Sequence, residues 1–116
     1  MLELKNVTKT FGSFKALDDL SMTVPKGTVY GLVGPNGAGK STTIRILMNF
    51  IHADSGTAKI DGLDCRTRSC AIKRFTGYMP SEVHFYGFTT VRDLLNYACK
   101  LRGVKKNIWK DLTEYY

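Results

Sequence analysis

Residues 34–41 read Gly34-Pro35-Asn36-Gly37-Ala38-Gly39-Lys40-Ser41, with the spacing G-x-x-x-x-G-K-[ST]. Glycine reaches backbone conformations closed to other residues and lets the chain come close to an anion. Successive N–H groups then point inward and form a cradle for phosphate oxygens. The stretch is expected to open a helix, whose N-terminus adds favourable potential for negative charge. Lys40 supplies a full positive charge to the β- and γ-phosphates. The Ser41 hydroxyl is a ligand for Mg²⁺, and Thr42 is placed to reach the α-phosphate.

The flanks agree with that requirement. Thr28–Val33 is apolar on both faces apart from Gly31, which predicts a fully buried strand of a parallel sheet. Ile44, Leu47, Met48 and Ile51 fall at i, i+3, i+4 and i+7 and predict one apolar helix face. Upstream, Leu2 and Leu4 alternate with polar residues and predict a strand over 2–7. Leu20, Met22 and Val24 predict a second strand, closed by a turn at Pro25-Lys26-Gly27.

Downstream, Asp54-Ser55-Gly56 breaks the helix, and Ala58 and Ile60 mark a short strand ending at Asp61-Gly62. A short helix is expected over Ser69–Arg74, then a strand over Thr76–Met79 stopped by Pro80, then a loop over Ser81–Phe88. Thr90 followed by Asp93 has the form of a capping box. The helix it opens shows Val91, Leu94, Leu95 and Ala98 on one face and ends at Gly103. A last helix is expected from about Lys105, using Val104, Ile108 and Leu112.

The 116 residues fit one domain or part of one. Seventeen basic and ten acidic side chains give a net charge of +7. The basic residues are scattered, with no run longer than Lys105-Lys106, so no nucleic-acid partner is expected. Cys65, Cys70 and Cys99 are too few and too irregularly spaced for a disulfide framework or a zinc site. No apolar run approaches the roughly 20 residues that span a bilayer. Met1–Lys5 has no apolar region of the signal-peptide kind, so a cytosolic location is expected.

A phosphate loop is shared by kinases, GTPases, motors and transporter ATPases, and its surroundings discriminate among them. The opening Leu2-Glu3-Leu4-Lys5-Asn6-Val7-Thr8-Lys9-Thr10-Phe11-Gly12 resembles the first strand and A-loop of the ABC-transporter nucleotide-binding domain. Ala16-Leu17-Asp18-Asp19-Leu20-Ser21 resembles its second strand. Asp54-Ser55-Gly56-Thr57 and Asp61-Gly62 resemble the segment after its first helix, Gly77-Tyr78-Met79-Pro80 the approach to its Q-loop, and Thr89–Leu95 the start of its helical subdomain.

The resemblance implies an α/β fold, a P-loop NTPase of ABC type. Residues 1–88 would form an antiparallel β subdomain and a Walker A strand-loop-helix, and residues 89–116 the start of the helical subdomain, with the sheet incomplete. It also implies site residues. Phe11 matches the aromatic that stacks on adenine, its alternative being a strand-end core ring. Gly34, Asn36, Gly37, Ala38, Gly39, Lys40, Ser41 and Thr42 match the phosphate loop, with Ser41 on Mg²⁺. The implied cofactors are ATP and Mg²⁺. The implied partners are transmembrane permease subunits and a second ATP-binding subunit, at the inner face of the cell membrane, in a transporter that drives export.

Two departures qualify that picture. Where the family carries its Q-loop glutamine, this chain has Ser81 followed by Glu82. Serine is shorter and reaches a metal through water, whereas glutamate changes the charge of the site. Both are also readable as solvated loop residues. Second, no apolar run ends in Asp-Glu and no Ser-Gly-Gly occurs, so Walker B, signature and switch-histidine motifs are lacking and no catalytic residue is complete. His52 and His84 lie outside any motif. These 116 residues are therefore expected to bind ATP without hydrolysing it, and to be marginally stable alone. The alternatives are a soluble ABC-type ATPase of translation or DNA repair, a non-functional truncated product, or a half-module completed by another chain.

Overall fold

The computed structural model describes residues 1–80 and 90–104. They fall into two compact units, Met1–Tyr78 and Met79–Tyr116. The first unit is built on a hairpin. Strand β1 (Leu2–Phe11) pairs antiparallel with β2 (Phe14–Val24). Phe11 and Phe14 face each other across the two-residue turn Gly12-Ser13. Gly12 has φ 58, the left-handed conformation that primed hairpin turns require. The strands are longer than the alternation over 2–7 and 20–24 suggests, because alternation fails in mid-strand.

That failure has a local cause. Leu4 and Val7 are both buried although they are three positions apart, an odd spacing. The register steps from Leu4↔Met22 to Val7↔Leu20, so β1 carries one extra residue there. Between Val7↔Leu20 and Lys9↔Leu17 the extra residue is in β2. These bulges bend and twist the strands while returning apolar side chains to the same face. Asn6 and Asp19 adopt φ 50 at them. The Asn6 amide donates to Ser21 Oγ at 2.9 Å, Asn6 Nδ2 to Asp19 Oδ1 at 2.9 Å, and the Asp19 amide to Thr8 Oγ1 at 3.1 Å. Polar side chains thus serve backbone groups that leave the ladder.

β3 (Ser55–Ile60) pairs antiparallel with the other edge of β1, and the two-residue β4 (Leu63–Asp64) folds back on β3. The sheet is open and antiparallel, in the order β2-β1-β3-β4. Gly56 (φ 84) lies against the β1 bulge so closely that a Cβ there would sit 2.3 Å from Asn6 O. Helix α1 (Lys40–Leu47) and the short α2 (Ser69–Lys73) belong to the same unit. Leu4, Val7, Leu17, Ile46, Ala58 and Ile72 form most of its core. Burying a side chain such as Leu4 or Ile72 contributes roughly 1.5–3 kcal/mol.

Three expectations are corrected. Thr28–Val33 is not a strand, and Val29 and Val33 are fully exposed. A strand buried on both faces needs hydrogen-bonded neighbours, and among the described residues none pairs with it. Thr76–Met79 is not a strand either. The Thr76 amide and hydroxyl both donate to Ile72 O, at 3.1 and 2.9 Å, and so continue the end of α2. The buried face of α1 is Thr43, Ile46 and Leu47, rotated by one residue from the expected stripe, and Ile44 is exposed. Thr43 enters the core because its hydroxyl is satisfied locally, donating to Gly39 O at 2.9 Å. Ile51 lies beyond the last turn.

In the second unit, α3 spans Val91–Arg102. The capping box is formed in both directions: the Asp93 amide donates to Thr90 Oγ1 at 3.2 Å, and the Thr90 amide donates to Asp93 Oδ2 at 3.4 Å. Gly103 ends the helix at φ 64. Leu94 and Leu95 are half-buried, whereas Val91 and Ala98 are exposed. The last expected helix, from Lys105, lies outside the described residues.

Candidate functional site

The loop between the unpaired segment and α1 is shaped by two left-handed glycines. Gly37 has φ 86, and Gly39, the N-cap of α1, has φ 81. The Ala38 amide donates to Pro35 O at 3.2 Å, which folds the loop on itself. No side chain caps α1, so its first-turn amides are left to whatever lies before the helix. The Thr43 amide closes the first turn on Gly39 O at 2.8 Å.

Gly39 also sets the distance between the loop and the hairpin. A Cβ built there would lie 2.5 Å from Leu17 Cδ2 and 2.6 Å from Ala16 O. No other residue permits that approach, since both the space and the backbone angle exclude a side chain. The Lys40 side chain turns back over the loop, and its ammonium donates to Gly34 O and Pro35 O, at 2.6 Å each. An ammonium has three N–H donors, so one is left for an anion.

The result is one open groove of about 290 Å³, near the lower end of the roughly 300–1,000 Å³ typical of ligand clefts. Phe11, Phe14 and Ala16 of the hairpin line one side, and Asn36–Thr42 line the other. Every expected phosphate-loop residue except Gly34 is on that wall, and Gly34 takes part through its carbonyl. Phe11 is half-exposed and faces the same groove, so it is not a core ring. Ser81 and Glu82, the two further metal candidates, lie outside the described residues, as does His84. His52 is exposed and lies away from the groove.

Sequence reading missed Phe14 and Asp54. Phe14 lines the groove beside Phe11, and two phenylalanines around Gly12-Ser13 were the available signal for a tight hairpin. Asp54 Oδ2 accepts from the Thr10 amide at 2.7 Å, and its Oδ1 accepts from Lys9 Nζ at 2.7 Å. Those hydrogen bonds, the Lys9 side chain first, hold the Asp54 carboxyl below its ordinary value.

The groove fits a polyphosphate by the character of its wall. It presents glycine-rich backbone, an uncapped helix start, one ammonium and two hydroxyls, those of Ser41 and Thr42. Ser41 offers a hard oxygen suited to Mg²⁺, an ion that keeps several waters and shares its shell with phosphate. Among the described residues, no aspartate, glutamate or histidine lines the groove, and no cluster of His, Cys, Asp or Glu is placed to hold a metal alone. A second, smaller cavity of about 70 Å³ lies between the end of α1 and β3, beside Cys65. Burial, and then the charge of Asp64, push the Cys65 thiol up to about 11, so it is a packing residue rather than a nucleophile.

Residues 17–115 match the family model described as ABC transporter. The chain is 36% identical over 105 residues, 90% of its length, to the probable multidrug ABC transporter ATP-binding protein YbhF of Escherichia coli, of which it covers 18%. It is 37% identical, over its whole length, to the methionine import ATP-binding protein MetN 4 of Oceanobacillus iheyensis, of which it covers 36%. Among solved structures, the ATP-binding subunit of an ABC transporter superposes with a TM-score of 0.81 at 26% identity, over 95% of this chain and 46% of that one. The chain thus spans 18% to 46% of the length of these proteins. Among the described residues, no helix is long and apolar enough to cross a membrane.

Proposed function

This chain belongs to the ABC transporter family, and from that premise we propose that it binds Mg-ATP between Phe11 and the loop Asn36–Thr42, as part of an ATPase that powers transport. The observation that carries the proposal is that an exposed aromatic ring and the phosphate loop line a single groove. Phe11 offers a π-face to the adenine. The loop amides from Gly37 to Thr42 hold phosphate oxygens, and Lys40 neutralises the β- and γ-phosphates. The Ser41 hydroxyl orients the metal. Magnesium, when bound with the nucleotide, supplies charge neutralisation at the phosphates.

We assign binding, not turnover, to these residues. Activating a water requires a positioned base, and among the described residues the groove wall has neither carboxylate nor imidazole. Hydrolysis is assigned to an assembly with further chain or a second ATP-binding subunit. Permease subunits at the inner face of the membrane are the proposed site of coupling. Export is the proposed direction, the one that suits a relationship to a probable multidrug transporter protein. Uptake, as for the methionine relative, is the outcome that would reverse it in a vesicle assay of the assembled transporter.

The central test is calorimetric titration of the chain with Mg-ATP, beside Lys40→Ala. A hydrogen bond to a charged group is worth roughly 1.5–3 kcal/mol, so affinity is expected to fall about 10- to 150-fold. Unchanged affinity in the variant, or no binding by the unaltered chain, refutes the site. Phosphate release by the chain alone refutes the assignment of binding without turnover.

A further inference from the structure

Phe11 stands at the last position of β1, next to a turn and half-exposed. On its own strand the ring meets the Lys9 ammonium. The contacts that hold that ammonium and the backbone before the ring come from a different part of the chain. The Asp54 amide donates to Thr8 O at 2.9 Å, just before Thr8 pairs with Ser55. Its carboxylate bridges the Thr10 amide and the Lys9 ammonium, at 2.7 Å each. The Lys9 side chain, largely buried, carries that ammonium to 5.4 Å from the centroid of the Phe11 ring. A cation at that distance from a ring centre is held by the ring quadrupole. Asp54 therefore grips the backbone directly before Phe11 and also the cation on the ring.

We infer that Asp54 is a positioning residue for the base-binding end of the groove: through the Thr10 amide and the Lys9 ammonium it fixes the Phe11 ring for stacking. The inference rests on the nucleotide reading above. Asp54 itself does not line the groove and touches no phosphate-loop residue among its hydrogen bonds. Its effect is therefore confined to the base, and the polyphosphate is held without it. Lys9, like Asp54, does not line the groove. Removing the carboxylate also raises the net charge by one unit, which would favour any anion. A loss of nucleotide affinity on its removal thus runs against the simple charge effect.

The experiment compares three probes on the chain and on Asp54→Ala, Asp54→Asn and Lys9→Met. The probes are Mg-ATP, inorganic triphosphate, and the triphosphate of 2-aminopurine riboside, whose fluorescence falls on stacking. For Asp54→Ala, ATP affinity is expected to fall about three- to tenfold, the size that follows from freeing one immobilised side chain. Triphosphate affinity is expected to stay equal or tighten, and quenching of the aminopurine to diminish. Asp54→Asn keeps an acceptor for the Thr10 amide and should fall between the two. Together with Lys9→Met it decides the matter if alanine lowers the yield of folded chain. Parallel weakening of ATP and triphosphate, or undiminished quenching, overturns the inference. Failure of the unaltered chain to bind triphosphate overturns the nucleotide reading instead.

Discussion

Replacing Gly56 with alanine tests the packing of β1 against β3. Gly56 has φ 84, and a Cβ on it would lie 2.3 Å from Asn6 O, 2.5 Å from Asn6 C and 2.5 Å from Lys5 O. All three are backbone atoms, so no side chain can swing aside. The left-handed backbone alone costs alanine roughly 1–2 kcal/mol. The strands must also separate near Lys5↔Thr57. Losing two or so ladder hydrogen bonds adds about 2–3 kcal/mol.

The total, about 3–5 kcal/mol, is large against the roughly 5–15 kcal/mol of an ordinary domain. Gly62→Ala is the matched control. Gly62 has φ 76, but nothing lies within 4 Å of its built Cβ, so only the backbone cost applies. Urea unfolding followed by circular dichroism should therefore separate the two variants. With a slope of about 1 kcal/mol per molar, their midpoints should differ by about 2 M. If the midpoints coincide, the close approach at the bulge does not support the sheet and the reasoning fails.

Two further predictions concern titratable groups. At pH 8 a thiol with a pKa of about 11 is about one part in a thousand thiolate. Iodoacetamide should therefore label exposed Cys70 and leave Cys65 unmodified until the chain is unfolded; mass mapping of the adducts checks this. Asp54, Asp61 and Asp64 are all held below their ordinary value, by the Lys9 side chain, the Met1 amine and the Thr67 amide respectively. A depressed folded pKa contributes stability above the unfolded value of 3.8 and loses it as pH falls through the folded value. The urea midpoint should be flat above about pH 5 and drop below pH 4. A midpoint that stays constant down to pH 2 rules out these carboxylates as supports.

What the sequence disclosed depended on how local each interaction is. The phosphate loop, the start of α1, and the Thr90–Asp93 cap are decided within a few residues, and all were readable. The bulges were not. One extra residue converts the spacing of two between Leu2 and Leu4 into three between Leu4 and Val7, and a search for strict alternation stops there. Thr28–Val33 failed for the opposite reason. Its apolar run describes an environment that neighbouring strands must supply, and hydrophobicity cannot say whether they are present. Thr43 is polar and stands outside any apolar stripe, yet a hydroxyl satisfied by its own helix is free to be buried. Asp54 belongs to the same lesson, because its partners Lys9 and Thr10 lie more than forty positions away.

The contact at Gly39 has a consequence for what the groove tolerates. Because Ala16 and Leu17 abut the loop with no room for even a methyl group, the two walls behave as the jaws of one fixed caliper. Their opening is set when the chain folds, before any guest arrives. Such an instrument gauges the length of a molecule and does not adjust to it. Analogues lengthened or shortened between ring and terminal phosphate should be rejected in proportion to the misfit, even when each end by itself is a perfect match.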